Sequence, residues 1–221
     1  MNISVSKGEG VPQTLLKRGP QGEYQVILTA SDRRWAQFAF QFSHELCHIL
    51  SNYDIHSQSV IGTHTGAHQA TPTQWFEETL CEMASLYCLR QMATEWTSSA
   101  PYPDLTDYAS ALQEYAHGRL TDSRRQLPPT LDLRDWFKCN QPALAKDPYL
   151  RDMNGLVANQ LLPLVENNHE YWGALNYLNI REPNPSHTME QVLRIWHVDC
   201  PPDLAGFVDE VSELLGLNFS R

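Results

Sequence analysis

The stretch that decides the fold is Trp35-Ala-Gln-Phe-Ala-Phe-Gln-Phe-Ser-His44-Glu45-Leu46-Cys47-His48-Ile49-Leu50. Its apolar residues Trp35, Phe38, Ala39, Phe42, Leu46, Ile49 and Leu50 recur at helical spacing, the 3.6-residue period of one buried face. Ser31 and Asp32 stand before it as helix caps. The expectation is a long helix from about Asp32 to Ser51. Within it, His44 and His48 are four residues apart. Four residues turn the helix through about 400°, so both side chains stack on one face. Their imidazoles can then bind one Zn²⁺, and Glu45, one position on, can reach a water and take its proton.

A second helix follows a stretch rich in Ser, His, Gly and Thr over residues 52–70, read as a loop. Thr71 is the expected cap, Pro72 the first helical residue, and Gln74 the closing member of a capping box. Trp75, Phe76, Leu80, Met83, Leu86 and Tyr87 give this helix an apolar side to about Ala93. Glu78 and Glu82 are one turn apart on it. Carboxylates in an otherwise apolar helix are costly unless paired or bound to a cation. One could ligate a metal while the other holds a ligand histidine by its free ring N–H.

This pair of helices resembles the gluzincin group of metallopeptidases, to which thermolysin-like enzymes belong. The resemblance covers roughly residues 24–93. It implies a zincin-like core with Zn²⁺ as cofactor and peptides or small proteins as substrates. His44, His48 and Glu78 would be the metal ligands, Glu45 the general base, and Glu82 the brace behind a ligand histidine. It also implies an edge strand, ahead of the first helix, that holds extended peptide. Two features depart from the group: the interval from His48 to Glu78 is longer, and Glu77 stands where the group has Asn.

Asp54, six residues after His48, is a rival third ligand on the metzincin pattern. That pattern needs Gly where this chain has Ser51, to turn the backbone sharply, and no Met-turn follows. Cys47, three residues after His44, points away from the shared face and reads as a packed thiol. A zinc hydrolase also needs a donor for the oxyanion. Tyr53, His56, His64, His68, His169, Tyr171 and His187 are the candidates, and no spacing singles one out. His64, His68 or Asp54 could instead complete a closed, structural site as fourth ligand. Arg124, Arg125 and Arg134 could bind a substrate carboxylate, although a solvated face is the plainer reading.

Outside the metal helices, Thr14–Lys17 and Tyr24–Thr29 flank a turn-rich link and suggest a hairpin, with Ile3–Ser6 as a third strand. Residues 121–147 look irregular, broken by Pro128, Pro129 and Pro142. Helices are expected around residues 105–115, 150–177 with an interruption near Pro163, 189–196 and 204–215, with Gly216 as a stop. The fold class is therefore α+β: a small antiparallel or mixed N-terminal sheet on a two-helix metal core (residues 1–95), then a mainly helical lobe (residues 96–221) packed with it as one unit.

Composition narrows the function. The chain has 221 residues, 42% apolar, with a formal net charge of −10. An acidic balance with four lysines does not suit a dedicated nucleic-acid or anionic-membrane binder. No apolar run approaches the ~18 residues of a spanning helix. The start has no charged segment followed by an apolar one, and the five cysteines have no framework spacing, so the cytoplasm is the expected location. The sequence leaves open a non-catalytic zincin-like protein with a structural metal or an interaction role, and a hydrolase of non-peptide amides or esters.

Overall fold

The structure is a computed structural model that describes residues 1–54 and 71–218. Three strands, β1 (Ile3–Lys7), β2 (Gln13–Thr14) and β3 (Tyr24–Leu28), form one sheet in the order β1-β3-β2. β1 pairs parallel to β3, with Val5 opposite Val26. β2 pairs antiparallel to β3, with Thr14 opposite Val26. The sheet is therefore mixed and β2 is one of its edges. Along β3, Val26 and Leu28 are buried, the alternation of a strand with one covered face. They pack with Ile49, against Phe38 and Phe42.

The expected hairpin exists but its first strand is shorter and one residue earlier than Thr14–Lys17. The Leu15 N–H still bonds Gln25, but the Leu15 carbonyl accepts the Tyr53 hydroxyl instead of a β3 amide. The turn itself closes over Gly19 to Gly22, where Gly22 has φ of +77°.

The helix bearing the histidines is α1 (Trp35–Leu50). The second, α2 (Gln74–Ser99), begins two residues later than Pro72 and runs beyond Ala93. No side chain caps its start. Its end is set by Pro101, which forces Ala100 into an extended conformation (ψ 143°). At 26 residues it spans about 39 Å. Trp75, Phe76, Thr79 to Leu86 and Leu89 are buried on every side, as for a helix at the centre of a core.

The rest of the chain is helical: α3 (Tyr108–Thr121), α4 (Leu133–Lys146), α5 (Arg151–Asn167), a 3₁₀ helix over His169–Tyr177, α6 (Met189–Asp199) and α7 (Pro202–Leu215), with α3 and α5 packed most extensively on α2. α4 corrects the irregular reading of residues 121–147. Asp132 caps it by accepting the Asp135 N–H at 2.8 Å, and Leu133, Trp136, Phe137 and Leu144 form its buried stripe. Pro142 is tolerated inside the helix; it forfeits one backbone hydrogen bond there. Pro163 likewise lies within α5 without ending it. α6 starts at a capping box between Thr188 and Gln191, and α7 stops at Gly216 with φ of 69°.

One hydrophobic core runs from Phe40 to Leu215, so residues on both sides of position 95 share it. Trp196 joins the halves. Its ring meets Phe76 of α2 at 6.0 Å and Phe207 of α7 at 5.7 Å, and its indole N–H donates to the Ala174 carbonyl. Among the described residues, no helix is long and apolar enough to cross a membrane.

Candidate metal centre

The one-turn spacing on α1 does what the period requires: the rings of His44 and His48 lie 5.1 Å apart. α2 packs across α1 and brings the Glu78 carboxylate between them. His44 Nε2 lies 3.2 Å from one carboxylate oxygen and His48 Nε2 lies 3.6 Å from the other. Each imidazole thus faces its own oxygen of one carboxylate. That donor set matches catalytic zinc sites, where three protein ligands leave a position free.

Glu77, on the same turn, faces the other side of His48. Its Oε1 accepts the Nδ1–H of His48 at 2.8 Å and the Ser51 hydroxyl at 3.1 Å. Its Oε2 accepts the Asn179 side-chain amide at 3.0 Å. A carboxylate only accepts, so Nδ1 carries the proton and Nε2 is the nitrogen available to a metal. Asn179 sits at φ 58°, a left-handed conformation that Asn tolerates.

The charges follow from these contacts. Burial opposes the charged form of His48, but the bond to Glu77 and the carboxylates of Glu77, Glu78 and Glu45 push its pKa up to about 10. Burial raises Glu78, yet His44 and His48 outweigh it and hold the carboxyl below its ordinary value.

Cys81 is a second candidate for the third ligand. Its sulfur and one ring nitrogen from each of His44 and His48 lie within 4.8 Å of one another. Burial, and a hydrogen bond with Cys47, raise this thiol well above its ordinary pKa. It is thus a neutral thiol beside an ionised Glu78. Cys47 is buried, as a packed thiol should be.

Glu45 is 3% exposed, and its Oε2 accepts the Thr14 hydroxyl of β2 at 2.9 Å. It lines a cavity of about 710 Å³ together with His44, His48 and Glu78. One wall of that cavity is residues 11–14 and Leu16, so the edge strand and α1 flank the same cleft.

Glu82 lines this cavity too, but it does not take the brace position behind a histidine. Its carboxylate accepts from Arg125, which is 2% exposed. The brace on His48 is Glu77. Arg125 is thus a buried structural cation rather than a solvated one, while Arg124 pairs at the surface with Asp122 and Asp152. Arg134 donates to the Glu213 carbonyl. Asp54 is buried against Arg18 at 2.7 Å.

Among the oxyanion candidates, Tyr53 lines the cavity but gives its hydroxyl to Leu15. His169 bonds Tyr87, Tyr171 bonds Glu210, and His187 lines a separate small pocket. His56, His64 and His68 lie outside the described residues. Tyr149 and Arg151 are among the cavity residues that escaped sequence reasoning. Tyr149 accepts from Gln74 at 3.1 Å, and burial raises its phenol, so it keeps a proton to donate. Arg151 contributes to lowering Glu78. Neither falls on a motif; the turn signal Asp147-Pro148 before α5 marks only their place in the chain.

No protein-family model matches the chain, and no curated protein or solved structure matches it either.

Proposed function

We propose that the protein is a zinc-dependent hydrolase of peptide bonds, similar in its site to the gluzincin metallopeptidases. The observation that carries this reading is the Glu78 carboxylate facing Nε2 of both His44 and His48 beside an open cavity. His44, His48 and Glu78 would hold the ion, with Glu77 fixing the tautomer of His48. Zinc, when bound, supplies Lewis acidity that polarises a carbonyl and acidifies water. Glu45 is the base: it takes a proton from water and returns it to the leaving amine. Thr14 holds the Glu45 carboxylate toward the cleft. Tyr149 and Arg151 are the donors available to the charge that develops on the attacked oxygen. The wall at residues 11–14 and Leu16 includes the edge strand β2, which suits an extended peptide.

A second reading is favoured by Cys81. If its sulfur joined the histidines and Glu78, four protein ligands would close the coordination sphere, and the metal would be structural.

The test is zinc content after purification without added metal, joined to a fluorogenic peptide-library screen. The hydrolase reading expects near-stoichiometric zinc, lost in Glu78→Gln and kept in Cys81→Ala. It also expects cleavage that falls about 10²–10⁴-fold in Glu45→Gln with zinc retained. Zinc that leaves with Cys81→Ala, and no cleavage by the wild type, would favour the structural site. A wild type that stays metal-free after dialysis against zinc overturns both.

A further inference from the structure

The cavity that holds the histidines is also lined by a cation that pairs with no acidic side chain among the described residues. Arg119 stands in the last turn of α3. Its guanidinium carbon lies 4.5 Å over the Phe40 ring and 5.6 Å over the Tyr115 ring. Its Nε is buried with no hydrogen-bond partner. The acidic side chains of the cavity are all engaged elsewhere. Glu45 holds Thr14, Glu77 holds His48, Glu78 faces both histidines and Glu82 holds Arg125. The aromatic faces and the C-terminal end of α3 favour a cation at this place. They do not meet the directed N–H donors of a guanidinium.

A second unmet group lines the same cavity. Asn154 of α5 is 3% exposed. Its Nδ2 donates to the Pro148 carbonyl at 2.7 Å, which fixes the amide orientation and leaves Oδ1 with no donor. The cavity lining therefore includes a planar cation and a buried acceptor, each with an atom left unpartnered among the described residues.

Their placement relative to the histidines is set by α1. Phe40, against which Arg119 stacks, is one turn before His44, a rise of about 6 Å. An extended peptide advances about 3.3–3.6 Å per residue. The rise from Phe40 to His44 therefore equals one to two residues of such a peptide.

We propose that Arg119 binds a carboxylate of the ligand while Asn154 accepts one of its N–H groups. The site then selects peptides with an anionic group one or two residues from the bond that faces His44 and His48. The choice of a peptide rests on the function proposed above; the carboxylate preference rests on Arg119 and Asn154. An arginine fork matches a carboxylate geometrically, whether it is a chain terminus or an acidic side chain.

The test is binding, by calorimetry on the full chain, metal-free and zinc-loaded. Three probes are compared: acetyl-Ala-Ala-Ala with a free carboxyl, its C-terminal amide, and acetyl-Ala-Ala-Asp amide. The expected result is that the free acid binds about tenfold or more tighter than the amide. That preference should vanish in Arg119→Gln and survive in part in Arg119→Lys. The aspartyl amide binding like the free acid assigns a side-chain carboxylate; binding like the plain amide assigns a chain terminus. A measurement that needs no variant is salt: in the wild type the preference should shrink between about 20 mM and about 500 mM salt. No difference between acid and amide, including no binding of either, overturns the proposal, as does a preference that survives Arg119→Gln or is insensitive to salt. A protein that never takes up zinc but keeps the acid preference fails the function above and not this inference. Zinc and cleavage without the preference is the opposite failure.

Discussion

Glu77 and His48 are joined by a 2.8 Å hydrogen bond through Nδ1, which turns the Nε2 of that ring toward Glu78. The bond locks a tautomer and an orientation at once. Outer-shell partners of this kind typically account for 10- to 100-fold in metal affinity. Glu77→Gln should therefore weaken zinc binding about 10- to 100-fold in a chelator competition. Helical content should stay unchanged, because Ser51 and Asn179 can still bond an amide at that place. An affinity equal to wild type would remove Glu77 from the site.

The same bond makes the metal-free protein sensitive to alkali. The folded-state pKa of His48 is raised from 6.5 to about 10. Its contribution to stability is then fully present below pH 6.5 and is lost as pH rises toward about 10. One fully coupled proton sets the slope at about 1.4 kcal/mol per pH unit at most. Cys81 and Cys200 are raised as well and add loss in the same direction, but only near and above the ordinary thiol range. Urea unfolding of metal-free protein between pH 6.5 and 8.5 isolates the histidine. The wild type should lose stability across that window and Glu77→Gln should lose less. Zinc must displace the Nε2 proton of His48 while Nδ1–H stays on Glu77, so loading at pH 7 should release a proton and abolish the decline. A flat profile in metal-free wild type would contradict the His48–Glu77 pairing.

Asp54, the rival third ligand on the metzincin pattern, has a different partner. It is buried against Arg18, whose guanidinium also lies 3.1 Å over the Tyr24 ring of β3. Asp54→Asn should lower stability by about 1.5–3 kcal/mol through the weakened charged bond. Zinc content should not change. Loss of zinc with unchanged unfolding would return Asp54 to the metal.

What the sequence made legible is what period and spacing control. His44 and His48 share a face because they are four apart, and Glu78 reaches them because α2 packs on α1. The division of labour between Glu77 and Glu82 was not legible. It depends on Arg125, 43 residues from Glu82, and on Asn179, 102 residues from Glu77. No local pattern announces either pairing. The short β2 has a similar origin, since Tyr53 takes the Leu15 carbonyl across 38 residues. α4 was obscured for the opposite reason: three prolines signal breaks, yet only Pro142 falls inside the helix and the buried stripe of Leu133, Trp136, Phe137 and Leu144 outweighs it.

Glu82 and Arg125 form the most deeply buried ion pair among those described, and its context makes a sharp prediction. Arg125 is held against the backbone of α5, where a Cβ on Gly155 would meet its guanidinium at 2.7 Å. Asp152 offers a second, longer contact at 3.6 Å. Removing one partner leaves a charge in the core, which costs about 3–5 kcal/mol, whereas replacing both with apolar residues of similar volume is often neutral. Glu82→Leu alone should therefore destabilise by about 3–5 kcal/mol, and Glu82→Leu with Arg125→Met should recover most of it. Zinc content of the folded double variant should equal wild type, because Glu77 and not Glu82 bonds His48. Denaturant titration of the two variants checks the first part and metal analysis the second. Zinc lost from a stable double variant would give Glu82 a direct hold on the metal site.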